Sequence, residues 1–85
     1  MSYQETSRVA FQEIEHKIGE KQKIVYDCLK DLESANNTII AFKLGWRINT
    51  VTPRINELRK MGLVVMDCKR MCPITKKMTL FWRIA

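Results

Sequence analysis

The side chains in this sequence that could bind a metal or act as nucleophiles are three cysteines, Cys28, Cys68 and Cys72, and one histidine, His16. Cys68 and Cys72 have a spacing that one pair of zinc ligands can have. No second pair accompanies them, because Cys28 belongs to the apolar pattern of a predicted helix. We therefore interpret the cysteines as free thiols in a reducing, cytosolic compartment, with neither zinc nor a disulfide expected.

Catalytic chemistry has little support elsewhere in the chain. His16 lies between Glu15 and Lys17, which is typical of a solvated histidine rather than a general base. A single histidine so placed supports no Ser/His/Asp or Cys/His arrangement. The three glycines all fall at the ends of predicted helices, so no glycine-rich loop is available to hold a phosphate. We expect no enzymatic activity and no cofactor.

Positive charge is concentrated in the second half of the chain, which has a net charge of +6 overall. Residues 43–85 carry ten Lys/Arg and two Asp/Glu, which gives +8, whereas residues 1–42 carry five and seven, which gives −2. A basic half on a folded domain favours a polyanionic partner, most often nucleic acid. The alternative is a basic surface with no partner.

The length of 85 residues indicates one small domain, and the apolar content of 46% is typical of a folded protein. No apolar run approaches the roughly 18 residues that a membrane span needs. The first ten residues, MSYQETSRVA, are polar and show no signal-peptide pattern. We expect a cytoplasmic protein with no membrane partner.

A hydrophobic period of 3.6 predicts four helices, over residues 7–17, 20–34, 38–44 and 50–61. The third is short, about two turns. Gly45 follows it, where a left-handed residue commonly ends a helix. The last two helices, joined by a tight turn, therefore predict a helix-turn-helix.

Polar residues before the last two helices predict where each of them begins. Asn37 or Thr38 is expected to cap the short helix, and Asn49 or Thr50 the following one. Pro53 is expected in the first turn of that last helix, where a missing N–H costs little.

After Gly62 the hydrophobic period changes from 3.6 to 2. Residues 63–68 and 78–84 are rich in apolar, β-branched and aromatic residues, which predicts two strands of an antiparallel hairpin. Residues 69–77 carry four cations and a proline and are predicted to be a basic loop. The expected fold is mainly α with a small β-hairpin (α+β), a winged helix-turn-helix with an extra N-terminal helix.

The two faces of the helix over residues 50–61 differ in character. Val51, Ile55 and Leu58 fall together at 100° per residue and are expected to face the core. The outer face has small polar residues near its start and cations near its end. That arrangement suits a major groove, because amides pair with adenine and arginine with guanine. An ordinary solvated helix face is the alternative.

The aromatic residues Trp46 and Trp82 are expected to fill the core rather than to stack on bases. Phe81 and Trp82 are adjacent on one predicted strand and should point to opposite faces. One of the two is therefore expected to be less buried than the other.

Residues 37–64, NTIIAFKLGWRINTVTPRINELRKMGLV, resemble the helix-turn-helix of the winged-helix superfamily, in which a Thr-rich capped helix precedes L-x-x-x-G-L-V/I. That superfamily includes the MarR-like bacterial regulators. Residues 69–85, KRMCPITKKMTLFWRIA, resemble small bacteriophage-type winged-helix proteins, which have a basic turn with a Cys-Pro-x-Thr run before an aromatic strand. The resemblance covers about residues 20–85. The sequence departs from it by lacking the usual glycine of the wing turn, near Lys76 and Lys77.

The resemblance implies that residues 50–61 form the recognition helix and residues 69–77 the wing. Candidate residues on the helix are Asn49, Thr50, Thr52, Pro53, Arg54, Asn56, Arg59 and Lys60. Candidate backbone and wing contacts are Arg47, Lys69, Arg70, Lys76 and Lys77.

The expected function is sequence-specific binding of double-stranded DNA, as a transcription or replication regulator of phage or mobile-element type in a bacterial host. The alternative is a winged-helix module that binds a host or replication protein. We expect an N-terminal helix in residues 1–18 and the winged domain in residues 19–85. Residues 3–18 are the predicted contact of a homodimer, with packing onto their own domain as the alternative.

Overall fold

A computed structural model describes residues 18–85. In this part of the chain three helices are followed by a two-stranded antiparallel hairpin, so the predicted α+β order is confirmed. The helix predicted over residues 7–17 lies outside the described residues, as does the predicted dimer contact apart from Ile18, which packs against the core of its own chain. The elements are α1 (Glu20–Leu32), α2 (Asn37–Leu44), α3 (Ile48–Lys60), β1 (Val64–Met71) and β2 (Met78–Ile84).

Helix α1 buries the apolar stripe that its periodicity predicts. Val25, Cys28 and Leu29 are buried in the core cluster. The helix ends at Leu32 rather than at residue 34, because Glu33 takes a positive φ of 69° and donates its N–H to the carbonyl of Leu29 at 2.8 Å.

The N-cap of α2 is Asn36, so the prediction of Asn37 or Thr38 was wrong. The Asn36 side chain accepts a hydrogen bond from the N–H of Ile39 at 2.8 Å. The same Asn36 amide donates to the hydroxyl of Thr79 at 2.8 Å, so it also ties the start of α2 to β2. Three consecutive residues of capping type stand here, and the contact with β2 explains why the first is used.

The connection between α1 and α2 joins the hairpin, which the sequence pattern did not predict. Ala35 donates its N–H to the carbonyl of Trp82 at 3.1 Å and accepts the N–H of Trp82 at 2.8 Å. This bridge places a short extended segment beside β2. The hairpin is therefore anchored to the connection between α1 and α2 as well as to α3.

The strand β1 is longer than its hydrophobic pattern predicts. It extends to Met71, so Lys69 and Arg70 lie in a strand rather than in a loop, paired with Leu80 and Thr79 respectively. Backbone hydrogen bonds to the apolar strand β2 outweigh the low strand propensity of the basic residues. The connecting turn therefore covers residues 72–77 only.

Phe81 and Trp82 are both buried, at 1% and 6% exposure, so the expectation that one would be less buried was wrong. Trp82 packs in the main core cluster, as the sequence analysis predicted for this residue. Phe81 lies on the other face of β2, where the guanidinium of Arg70 covers it at 4.0 Å from the ring centroid. The side chain of Arg70, on the neighbouring strand, thus shields this face of the Phe81 ring from solvent.

The main core lies between the three helices and the inner face of the hairpin, where Val64 and Trp82 meet the helical side chains. Trp46, which is half-buried, packs against its edge. Every helix within residues 18–85 is too short or too polar to cross a lipid bilayer.

Candidate nucleic-acid interface

The turn between α2 and α3 is short and depends on Gly45. This residue has φ 71° and ψ 27°, the left-handed conformation predicted for it. A Cβ there would contact nothing within 4 Å, so the requirement is conformational rather than spatial. Trp46 then donates its N–H to the carbonyl of Ala41 at 3.0 Å, which closes the end of α2. Three residues, 45–47, thus connect the two helices.

Helix α3 begins at Ile48, earlier than its polar residues predict. Arg47 is the N-cap, so Asn49 and Thr50 lie within the first turn, and no side chain of the described residues caps this end. Pro53 is consequently the sixth helical residue rather than one of the first turn. The helix therefore exposes Arg47, Asn49 and Pro53 at its N-terminal half.

The buried and exposed faces of α3 are those that its periodicity predicts. Val51, Ile55 and Leu58 are fully buried. Asn56 and Lys60 are exposed on the opposite side. The helical period therefore determines which side chains of α3 are exposed to solvent.

Beside the second half of α3 runs an open groove between the helix and the start of β1. Asn56, Arg59 and Lys60 line its helical side, and residues 64–66 line the strand side. One amide and two cations thus border a single concave surface. Such a surface can donate hydrogen bonds and neutralise negative charge at the same place.

The hydroxyl of Thr52 is committed to contacts within the protein. It donates to the carbonyl of Ile48 at 3.0 Å and accepts a hydrogen bond from the Asn37 amide at 3.2 Å. The Asn37 carbonyl oxygen in turn accepts the indole N–H of Trp82 at 3.0 Å. Thr52 therefore fixes the position of α3 relative to α2 and β2, although it was a candidate DNA-binding residue of the recognition helix.

Arg54 is also engaged within the fold. Its guanidinium forms a two-fold hydrogen bond with Glu57, at 2.6 and 3.4 Å. The pKa of Glu57 is held below its ordinary value by a hydrogen bond from Gln22 and then by Arg54. This group borders the start of α1, so Arg54 lies on the α1 side of the helix and away from the groove beside β1.

Two of the candidate cations are held over aromatic rings. The guanidinium of Arg59 lies 4.4 Å from the centroid of the Trp82 ring, and that of Arg70 covers Phe81. Both arginines remain exposed. Stacking on the ring fixes the position of the guanidinium. Its N–H groups point outward in the plane of the guanidinium and can still donate hydrogen bonds.

The hairpin turn presents two exposed lysines. Lys76 has φ 61°, the left-handed conformation at which glycine is favoured. Its N–H bonds to the carbonyl of Cys72, and the N–H of Cys72 bonds to the carbonyl of Lys77, each at 2.8 Å. The glycine that the resemblance leads one to expect is thus replaced by a lysine in a conformation that costs roughly 1 kcal/mol.

Most of the cations in the basic half have no acidic partner in the described part of the chain. Among residues 18–85, the ion pairs of this half are Arg54 with Glu57 and Arg83 with Asp67, the latter at 3.8 Å. Eight of the ten basic residues of 43–85 therefore form no ion pair with a carboxylate of the described residues. These residues lie on α2, in the connection between α2 and α3, on α3 and on the hairpin.

The three cysteines are separate in their environments. Cys28 is buried on α1, Cys68 is half-buried on β1, and Cys72 is buried at the base of the hairpin turn. Within residues 18–85, no three side chains of the ligand types are grouped around a common metal position. His16 lies outside the described residues.

The thiol of Cys72 is unusual in its ionisation. Hydrogen bonds from the side chain of Asn36 and from the backbone and side chain of Thr75 lower the pKa of Cys72 from 9.0 to about 7. Burial and then the negative charge of Asp31 raise the pKa of Cys28. The pKa values of the two thiols are therefore shifted in opposite directions.

We expect the free energy of unfolding to show this difference. A lowered pKa in the folded state stabilises the fold increasingly as pH rises from about 7 to 9. The loss of stability caused by Cys72→Ser should therefore grow between pH 7 and 9. The loss caused by Cys28→Ser should shrink as pH rises beyond 9. The thiol of the unfolded chain ionises there while the folded state still keeps Cys28 protonated, so the parent protein loses stability as pH rises. Urea unfolding at several pH values measures both, and pH-independent losses would contradict the assignment.

The residues that sequence reasoning missed are those of the link between α3 and the hairpin. Asn37 was considered only as a cap, and Trp82 only as a core residue, yet together they hold Thr52. Contacts separated by 15 and 45 positions leave no local pattern in a sequence. No protein-family model matches this chain, and no relative was found among curated proteins.

Proposed function

We propose that this chain is a winged helix-turn-helix protein that binds double-stranded DNA in a sequence-specific manner and has no catalytic role. In this proposal α3 is the recognition helix, and the wing is the hairpin of β1, β2 and the turn 72–77. The biological setting that we propose is the regulation of transcription or replication by a phage or mobile element, in the cytoplasm of a bacterial host.

The connection between α2 and α3 supports the helix-turn-helix assignment. Helix-turn-helix units join a short helix to the recognition helix through three or four residues that often include glycine. Here residues 45–47 form that connection, and Gly45 supplies the left-handed residue. The immediate continuation of α3 into a hairpin supports the winged form.

The observation that carries the proposal is the arrangement of exposed donors and unpaired cations around α3. Asn56 and Lys60 are exposed opposite the buried face, and Arg59 is held beside them by Trp82. Lys76 and Lys77 are exposed at the end of the adjoining hairpin. A helix with an amide donor flanked by cations fits a major groove, with phosphates on either side.

The contacts that each side chain makes within the protein determine the role that we propose for it. Asn56 is free to make a paired hydrogen bond with an adenine edge. Arg47, Lys60 and the wing lysines neutralise phosphates. Thr52 holds α3 in place through Asn37, and Arg54 is paired with Glu57 of the same helix, so their effect on recognition is indirect.

Selection of bound duplexes from a random pool tests this proposal. The parent protein should enrich one sequence, and Asn56→Ala should lose about 1–3 kcal/mol of discrimination at one adenine position while it still binds duplex DNA. That loss corresponds to roughly 5- to 150-fold in relative affinity.

Lys60→Ala is the matched control, because it changes a neighbouring exposed residue that we assign to phosphate. It should weaken binding to all sequences about equally and leave the selected sequence unchanged. The proposal fails if the parent enriches no sequence, or if Asn56→Ala selects the same sequence with the same strength.

A further inference from the structure

The end of the hairpin carries an exposed apolar surface that phosphate contacts do not explain. Met71, Ile74, Met78 and Leu80 are 43–58% exposed. Met71 and Met78 are cross-strand partners, so they share one face, and Leu80 lies on that face two residues further along β2. Exposed apolar side chains that cluster in this way commonly mark a binding surface.

This face is continuous with the start of α3. Leu80 and Trp82 line a groove whose other side is formed by Ile48 and by residues 36–38 at the beginning of α2. Ile48, the first residue of α3, is itself 49% exposed. A partner seated on the N-terminal part of α3 would therefore meet the apolar face of the hairpin as well.

The charges around the apolar surface indicate what kind of partner it fits. Lys69 is the cross-strand partner of Leu80 and so lies on the same face, and Lys76 and Lys77 stand at the turn. An apolar centre with a cationic rim matches the minor groove of DNA, whose walls are phosphates. Proteins that enter this groove insert Ile, Leu, Met or Pro between base steps and kink the duplex.

The turn is held in one conformation, which a wedge requires. Two backbone hydrogen bonds of 2.8 Å link Cys72 with Lys76 and Lys77, and the Cys72 side chain is fully buried beneath them. Pro73 follows directly and fixes its own φ. Ile74 is thus presented at the end of a stiff hairpin.

We propose that residues 71–78, the wing tip, enter the minor groove and unstack one base step with Ile74 and Met78, which bends the duplex. This inference rests on the proposed DNA-binding function and adds a second source of specificity. Flexible pyrimidine–purine steps such as TA unstack most readily, so the protein selects such a step where the wing lies without contacting its base edges.

The test uses the selected duplex with 2-aminopurine placed at successive positions and with a fluorophore pair at its ends. Saturating parent protein should raise the 2-aminopurine fluorescence at one step under the wing and should bring the ends closer. The variant Ile74→Ala with Met78→Ala should lose both signals while its affinity keeps the same dependence on salt. Ile24→Ala, at an exposed isoleucine of α1, is the control and should keep both signals.

A second measurement changes the DNA and leaves the protein intact. Replacing the unstacked TA step by a stiff A-tract step should lower the affinity of the parent by about tenfold. Rescue of the fluorescence signal by Ile74→Leu with Met78→Leu would show that the wedge needs apolar volume rather than one residue type.

Three results would overturn the inference. Duplex binding with no 2-aminopurine response and no bend would remove the wedge and leave the proposed function standing. Absence of duplex binding at low salt would remove both. Binding of an acidic amphipathic peptide that the double alanine variant abolishes, with no response on DNA, would assign the surface to a protein partner instead.

Discussion

Neutralising Lys69, Lys76 and Lys77 together is expected to weaken binding to every DNA duplex by about 100-fold near 0.15 M salt, because the three phosphate contacts that we propose would no longer release counterions. The slope of log affinity against log salt should become shallower by about 2.7. The selected sequence should stay the same, since none of the three lysines is assigned to a base edge.

The backbone conformation of the turn determines which substitutions remove charge without destabilising the fold. Lys76 has φ 61°, so alanine there would keep the backbone strain, whereas glycine removes it. The variant is therefore Lys69→Gln, Lys76→Gly and Lys77→Gln. The melting temperature of this variant shows whether the substitutions weaken the fold. We expect it to be unchanged or slightly raised, because glycine at position 76 removes the strain.

The matched control removes the same number of charges from α1, by Lys21→Gln, Lys23→Gln and Lys30→Gln. This variant should keep nearly the affinity of the parent, because none of these three lysines is assigned to a phosphate and distant charge is screened by salt. If both triple variants lost affinity equally, binding would follow net charge alone, and the wing would have no assigned contact.

Replacing Trp82 with alanine is expected to lower the free energy of unfolding by about 3–5 kcal/mol, which is a large part of the stability of a small domain. The ring is 6% exposed within the core cluster, and its N–H is bonded to Asn37. Its removal also leaves the Asn37 oxygen without its donor and Arg59 without its platform. Chemical denaturation followed by the fluorescence of Trp46 measures the change.

Leu80→Ala is the control on the same strand, since Leu80 is 43% exposed. It should change the free energy of unfolding by no more than about 0.5 kcal/mol, as most surface substitutions do. Equal losses for Trp82→Ala and Leu80→Ala would contradict the description of Trp82 as the residue that joins the hairpin to the helices.

Local pattern predicted the elements well, for physical reasons that individual residues make clear. Val51, Ile55 and Leu58 recur with the helical period, so their burial follows from backbone geometry alone. Gly45 was placed correctly because few other residues adopt its conformation. The end of β1 was misplaced because Lys69 and Arg70 owe their strand conformation to β2, which is distant in sequence.

The candidate site could be predicted only in part. The exposure of Asn56 and Lys60 follows from the helical period, as does the pairing of Arg54 with Glu57 three residues further on, but the contact of Thr52 with Asn37 does not. Thr52 has a polar position on the helix surface in the sequence, yet it is engaged by Asn37, a partner that tertiary packing supplies. The apolar face of the hairpin was also missed, because exposure at Met71 and Met78 depends on how far the hairpin projects from the core.

We propose that the basic half of this protein neutralises DNA phosphates around α3. Titration of a fluorescent duplex with the parent protein at salt concentrations from 50 to 200 mM tests it most directly. We expect a straight line of log affinity against log salt with a slope of about −4 or steeper, as at least four to five phosphate contacts require. Undetectable duplex binding at the lowest salt, or an affinity that does not change with salt, would contradict it.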